Sequence, residues 1–196
     1  MSDTYYVKTF GGLEITNDNV TVNIVELFGK QLVNLLQVLL FHSEKPVQKD
    51  ELIDILWPES KNPSSALKFS IFRLRAELNE IEFFKDKEVI VTTRKGYILN
   101  PNLDWNIDFV ELEKAYNQIN DGSELLDEKE FKTARKIFRL YQGRFYASPS
   151  QLHWILQKQE IFRQMYVKTM MRTSCYLYTQ KRYDEMMLMN YQAVLI

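Results

Sequence analysis

Four cations, Lys61, Lys68, Arg73 and Arg75, fall between residues 60 and 76 with no acidic residue among them, and Arg94-Lys95 follow further on. Guanidinium and ammonium groups clustered on one face neutralise phosphates, and a free arginine fork can hold a guanine edge through two parallel hydrogen bonds. Counting about 100° per residue from Leu67, the apolar side of this stretch centres on Leu67, Ile71, Leu74 and Leu78. The opposite side presents Ser65, Phe69, Phe72, Arg73 and Ala76. Arg73 is therefore the candidate for a guanine contact, at roughly 1–3 kcal/mol of discrimination, and Phe69 or Phe72 could meet a thymine methyl. Lys68 and Arg75 lie on the flanks, where phosphates are the nearer target.

Such side chains need a rigid support, and residues 46–99 spell one. Asp50-Glu51 open a helix in its first turn, Leu52, Ile53, Ile55 and Leu56 give it an apolar face, and Pro58 stops it. A second helix is signalled by Asn62 as a side-chain N-cap and Pro63 at the first helical position, and runs to about Ile81. Glu88–Thr92 and Gly96–Leu99 are short β-prone runs joined by Thr93-Arg94-Lys95, a hairpin with a basic tip. Two helices, a turn and a closing hairpin make a winged helix-turn-helix. Upstream, Tyr5–Phe10, Leu13–Thr16 and Val20–Ile24 read as a three-stranded meander broken at Gly11-Gly12 and Asn17-Asp18-Asn19. Between Lys30 and His42, Leu32, Leu35, Leu36, Leu39 and Leu40 form a stripe too broad for a solvated helix. His42 closes that helix, where a histidine favours the dipole.

After Asn100-Pro101-Asn102-Leu103-Asp104 the pattern becomes helical only, which divides the chain into 1–103 and 104–196. Phe109, Leu112, Tyr116 and Ile119 share one helix face that Asp121-Gly122-Ser123 ends; Phe131, Ala134, Phe138 and Tyr141 share another. A break at Tyr141–Phe145 through Ser148-Pro149 precedes a long helix over about 150–180, and a last helix begins near Tyr183. With Tyr183 at position 17 of a tetratricopeptide repeat of about 34 residues, Ser174 and Ala193 occupy the small positions 8 and 27. Met186 at position 20 and Lys181 at position 15 depart from the usual Ala and Gly, so the repeat is degenerate. Its closing residues would lie past Ile196, so the chain is expected to stop inside the array, as a fragment of a longer protein that leaves Met186-Met187-Leu188-Met189 uncovered. The fold class is α+β: a winged helix with a small N-terminal antiparallel sheet, then an all-α, TPR-like part.

Composition excludes more than it proposes. With 45% hydrophobic and 26% charged residues the chain reads as globular. Its apolar runs, none longer than Val38–Phe41, cannot span a bilayer, and polar residues follow Met1, so no membrane association and a cytoplasmic location are expected. Cys175 is expected to be a buried small hydrophobe. No cofactor or metal is expected, because no phosphate loop, dinucleotide fingerprint, zinc-protease motif or nucleophile elbow occurs, and the two histidines, His42 and His153, sit in different halves. Paired acids such as Asp127-Glu128 open helices. The chain is not expected to be an enzyme. Residues 1–106 carry 12 Lys+Arg against 15 Asp+Glu, a net of −3, and 107–196 carry 13 against 11, a net of +2. Only local charge, in the 61–75 stripe and the hairpin tip, favours a polyanion.

Ile71-Phe72-Arg73-Leu74-Arg75-Ala76-Glu77-Leu78 followed by Thr92-Thr93-Arg94-Lys95-Gly96-Tyr97 resembles the OmpR/PhoB-type winged-helix signature. Asn106–Leu112, Leu140–Phe145 and Trp154 resemble the bacterial transcriptional activator domain that follows the winged helix in SARP-type regulators. Phe72-Arg73 stands where relatives show two arginines. The resemblance implies a transcriptional regulator, an activator by preference, whose second helix enters the major groove of double-stranded DNA while Arg94 follows the minor groove and Thr92 and Lys95 hold the backbone. It implies direct-repeat operators near a promoter, two copies side by side, and contact of the helical part with RNA polymerase or another subunit. The alternative is an adaptor whose winged helix no longer binds DNA, favoured by the −3 charge and the Phe69/Phe72 face.

Overall fold

A computed structural model describes residues 4–119, 126–147 and 152–194. By its contacts the chain divides into two compact units, one of residues 1–7 and 14–105, the other of residues 8–13 and 106–196.

In the first unit, β1 (Thr4–Lys8), β2 (Glu14–Asn17) and β3 (Val20–Asn23) form the expected meander. β2 and β3 pair antiparallel with Ile15 opposite Val22, turning at Asp18 with φ +51°. The sheet order is β3-β2-β1-β6, and β6 (Asp104–Ile107) corrects the expectation that only helices follow the Asn100–Asp104 stretch. The meander leaves one side of β1 open, and Asp104 reaches it by accepting a hydrogen bond from Thr4 Oγ1 at 2.6 Å. Its alternating polar and apolar residues, Asp104-Trp105-Asn106-Ile107, are the strand period itself.

A short α1 (Ile24–Leu27), capped by the Asn23 side chain on the Val25 amide, leads into α2 (Lys30–Phe41), in which every residue from Leu32 to Leu40 is buried. The broad leucine stripe is explained by three neighbours, since α2 packs on α3 (Lys49–Leu56), α4 (Pro63–Asn79) and the hairpin. Pro63 occupies the start of α4 as expected, but the Asn62 side chain makes no cap hydrogen bond. The Asn62 backbone sits at φ −132°, ψ +61°, and its amide is held by Ser60 Oγ instead. Leu67, Ile71, Leu74 and Leu78 are all buried. A single 3-10 turn, Glu82–Phe84, then brings Phe83 and Phe84 against Tyr5.

The second unit holds α5 (Asp108–Ile119), α6 (Glu128–Leu140), α7 (His153–Thr179) and α8 (Tyr183–Val194), each packed on the next. Asp127 caps α6 and exchanges hydrogen bonds with Glu130 in a full capping box. The core is aromatic: Phe10, Phe109, Phe145 and Phe162 pack with ring centroids 4.9–6.1 Å apart, and Tyr141 stacks on Tyr166 at 4.6 Å. Ala115 takes a buried place on α5, with Tyr116 only half-buried beside it. Cys175 is exposed, contrary to expectation, because α7 buries Thr173, Tyr176 and Leu177 and turns residue 175 outward. The expected breaks at Asp121-Gly122-Ser123 and Ser148-Pro149 lie outside the described residues. No helix among those described is long and apolar enough to cross a membrane, and no group of three metal-ligating side chains occurs among them.

Candidate nucleic-acid interface

Burying Leu67, Ile71, Leu74 and Leu78 fixes the rotation of α4, so that Ser65, Lys68, Phe69, Phe72, Arg73 and Ala76 are all exposed. The two phenylalanines are 62% and 70% exposed, so neither packs under the hairpin. Arg73 lies between them and the C-terminal turns of the helix. Its guanidinium stands 6.0 Å from the Phe69 ring centroid and pairs with Glu77 at 3.2 Å. An exposed i,i+4 ion pair of this kind is worth only about 0.3–0.5 kcal/mol. Arg73 can therefore exchange Glu77 for a stronger acceptor at little cost. Glu77 is the partner that the sequence reading passed over, although its spacing of four from Arg73 is a readable signal.

Arg75 is used differently. Its Nε and Nη2 donate to the Ile90 carbonyl at 3.0 and 2.8 Å, and Nη2 also donates to Thr92 Oγ1 at 2.9 Å. That fork ties α4 to the first strand of the hairpin, so Arg75 and Thr92, both proposed from sequence as DNA contacts, also hold each other. A lysine could not span both acceptors.

The hairpin itself, β4 (Ile90–Thr92) and β5 (Tyr97–Leu99), turns through Thr93–Gly96, where Thr93 Oγ1 accepts from the Lys95 and Gly96 amides. This leaves Arg94 and Lys95 exposed at the tip. Tyr97 forms a β-bridge with Val47, each amide donating to the other's carbonyl at 2.8 and 3.0 Å. Gly96, at φ +149°, lies so close to that bridge that a Cβ would stand 1.8 Å from the Val47 carbonyl oxygen. Only glycine fits there.

Residues 25–99 match the family described as "Transcriptional regulatory protein, C terminal". This segment is an OmpR/PhoB-type winged helix. The matched segment takes in α2, α3, α4 and the hairpin described above. Among curated proteins none matches the chain. Among solved structures, Mycobacterium tuberculosis EmbR, determined in complex with a low-affinity phosphopeptide, matches 93% of this chain with a TM-score of 0.67 at 17% identity. That match shows a shared fold running from the winged helix into the helical unit, and the chain spans 47% of the EmbR chain. The DNA-binding domain of E. coli CadC matches 48% of this chain and 88% of its own, at 25% identity and a TM-score of 0.37.

Proposed function

We propose that the chain is a sequence-specific transcriptional activator that reads double-stranded DNA with the outward face of α4 and the wing. The observation that carries this reading is the exposed set Ser65, Lys68, Phe69, Phe72 and Arg73 on one helix face, in a fold whose wing also leaves Arg94 and Lys95 free of the core. Arg73 reads guanine in the major groove, Lys68 and Lys95 hold phosphates, and Arg94 follows the minor groove. Arg75 and Thr92 contribute through the wing they fix as well as by direct contact. One short basic stripe on a unit of net charge −3 gives weak binding per copy, which favours two copies on a direct repeat. The helical unit contacts RNA polymerase or another subunit.

The test is titration of the chain into random duplex at two salt concentrations, then into an operator selected from a random library. Binding that falls steeply with salt is expected. Arg73→Ala should remove roughly 1–3 kcal/mol of preference for the operator, while Lys68→Ala weakens both duplexes alike. Equal losses in the two variants would sink the assignment. The exposed Phe69/Phe72 pair and the net charge of −3 also favour the adaptor reading. That reading is the one to adopt if the folded chain binds no duplex at low salt.

A further inference from the structure

We propose that the groove between α6 and α8 is a docking site for an acidic amphipathic helix of a protein partner, a surface independent of DNA reading by α4. The groove has a volume of about 890 Å³, within the range of ligand-binding clefts. Three cations from α6, Lys132, Arg135 and Arg139, line it. They are spaced three and four residues apart, so they follow one edge of the helix over about 10 Å. All three are exposed, and among the described residues none is held by a carboxylate; Arg135 stands over the face of Phe131, 6.0 Å away.

Unpaired cations beside a groove become informative through what stands opposite them. Phe138 and Tyr166 lie toward one side, and Leu188 and Met189 of α8 form the other wall. The acidic lining residue, Glu185, is already neutralised by a two-pronged pair with Arg182 at 2.8 Å to each oxygen. The free charge of the groove is thus positive and sits along one edge, while the opposite wall offers Leu188 and the adaptable Met189 between Glu185 and Gln192. A helix whose carboxylates recur at three- and four-residue intervals beside a stripe of leucines presents the complementary surface. A nucleic acid would satisfy the cations but leave the Leu188/Met189 wall in water. A purely apolar helix would leave the cations without partners.

The probe is a fluorescent synthetic helix of about 18 residues, long enough to hold its structure, with Glu along one edge and Leu on the adjoining stripe. Anisotropy is read against the whole chain, with a Lys-for-Glu peptide as control. Saturable, salt-sensitive binding of the acidic peptide alone is expected, weakened about ten-fold by Lys132→Ala/Arg135→Ala/Arg139→Ala, as the loss of three partly exposed charge pairs requires. Leu188→Ser should weaken it several-fold without altering the salt dependence. Reversal to Lys132→Glu/Arg135→Glu/Arg139→Glu should transfer binding to the lysine peptide. These cations are on the surface, so circular dichroism should show every variant folded. No binding at low salt, equal affinity in the triple variant, or displacement of the peptide by duplex DNA of matched charge would overturn the proposal. So would sedimentation showing a dimer that the triple variant converts to monomer, which would assign the groove to a second copy.

Discussion

Each unit is closed by one β-bridge beside a glycine in a positive-φ conformation, and the two closures serve different ends. In the winged-helix unit Val47 bridges Tyr97 next to Gly96; in the helical unit Phe10 bridges Phe145, with Gly11 at φ +82° and Gly143 at φ +126° in close contact. The first bridge anchors a loop whose cations point outward. The second, beside which Arg144 is exposed, places the Thr9 and Phe10 amides on the Asp108 carboxylate, at 2.7 and 3.1 Å. The same local device therefore supports an exposed basic hairpin tip in one unit and completes a core in the other. Damage to the first should reach DNA binding, whereas damage to the second should reach stability alone.

The largest expected effect breaks this contrast most directly. Gly96→Ala would place a Cβ 1.8 Å from the Val47 carbonyl oxygen, so the bridge must open and two buried backbone hydrogen bonds are lost. A cost of about 3 kcal/mol in urea unfolding is expected, together with loss of duplex binding by the molecules that remain folded. Gly11→Ala meets the Gln142 carbonyl oxygen at 2.7 Å and should cost about 2 kcal/mol, with duplex affinity unchanged per folded molecule. If both variants lose DNA affinity equally, the division of labour between the two closures is wrong.

A smaller effect sharpens the wing's side of the comparison. Arg75→Ala removes the fork that joins α4 to Ile90 and Thr92, and should cost about 1–2 kcal/mol of stability, since the hydrogen bonds are charge-assisted but part-buried. Duplex affinity should fall beyond what one phosphate contact explains, because the wing loses its fixed position. Arg75→Lys should recover the charge and only part of the affinity.

The contrast also explains what could be read from the chain alone. The winged helix was legible because its signals are local: a leucine period of three and four, a proline at a helix start, and Lys95-Gly96-Tyr97 at a hairpin. The exposed face of α4 followed from the same period. What escaped was the work done at a distance. Arg75 reads as a flank cation until Ile90 and Thr92 are brought beside it, and Gly11-Gly12 reads as a hairpin turn although Gly11 is placed by Gln142 and Gly143. β6 was missed because its partner strand lies near the other end of the first unit's sequence. Asn62 was misread for the opposite reason: the residue type favours an N-cap, but the local backbone turns its side chain away from the helix amides.

The smallest effect tests the helical unit's closure without disturbing its shape. Burial raises the Asp108 pKa above its ordinary 3.8, outweighing the hydrogen bonds from Thr9, Phe10 and Phe109 that favour the carboxylate. The folded chain then holds this proton at pH values where the unfolded chain has released it, so stability falls as pH rises from about 3.8 through the raised folded value and levels off above it. Glu111 works in the other direction: hydrogen bonds from Lys136 and Lys114 lower its pKa, and its contribution is lost as pH falls. The two therefore act in opposite directions, Asp108 above its ordinary 3.8 and Glu111 below its ordinary 4.5. Asp108→Asn removes only the first. It also replaces one acceptor by a donor facing backbone amides, but that penalty does not vary with pH. The difference in unfolding free energy between wild type and Asp108→Asn, followed by urea titration from pH 4 to pH 7, should therefore shift against the wild type as pH rises through the raised folded value and then level off. A flat difference would mean that the amides of Thr9 and Phe10 compensate the buried charge fully, and that this closure carries no electrostatic cost.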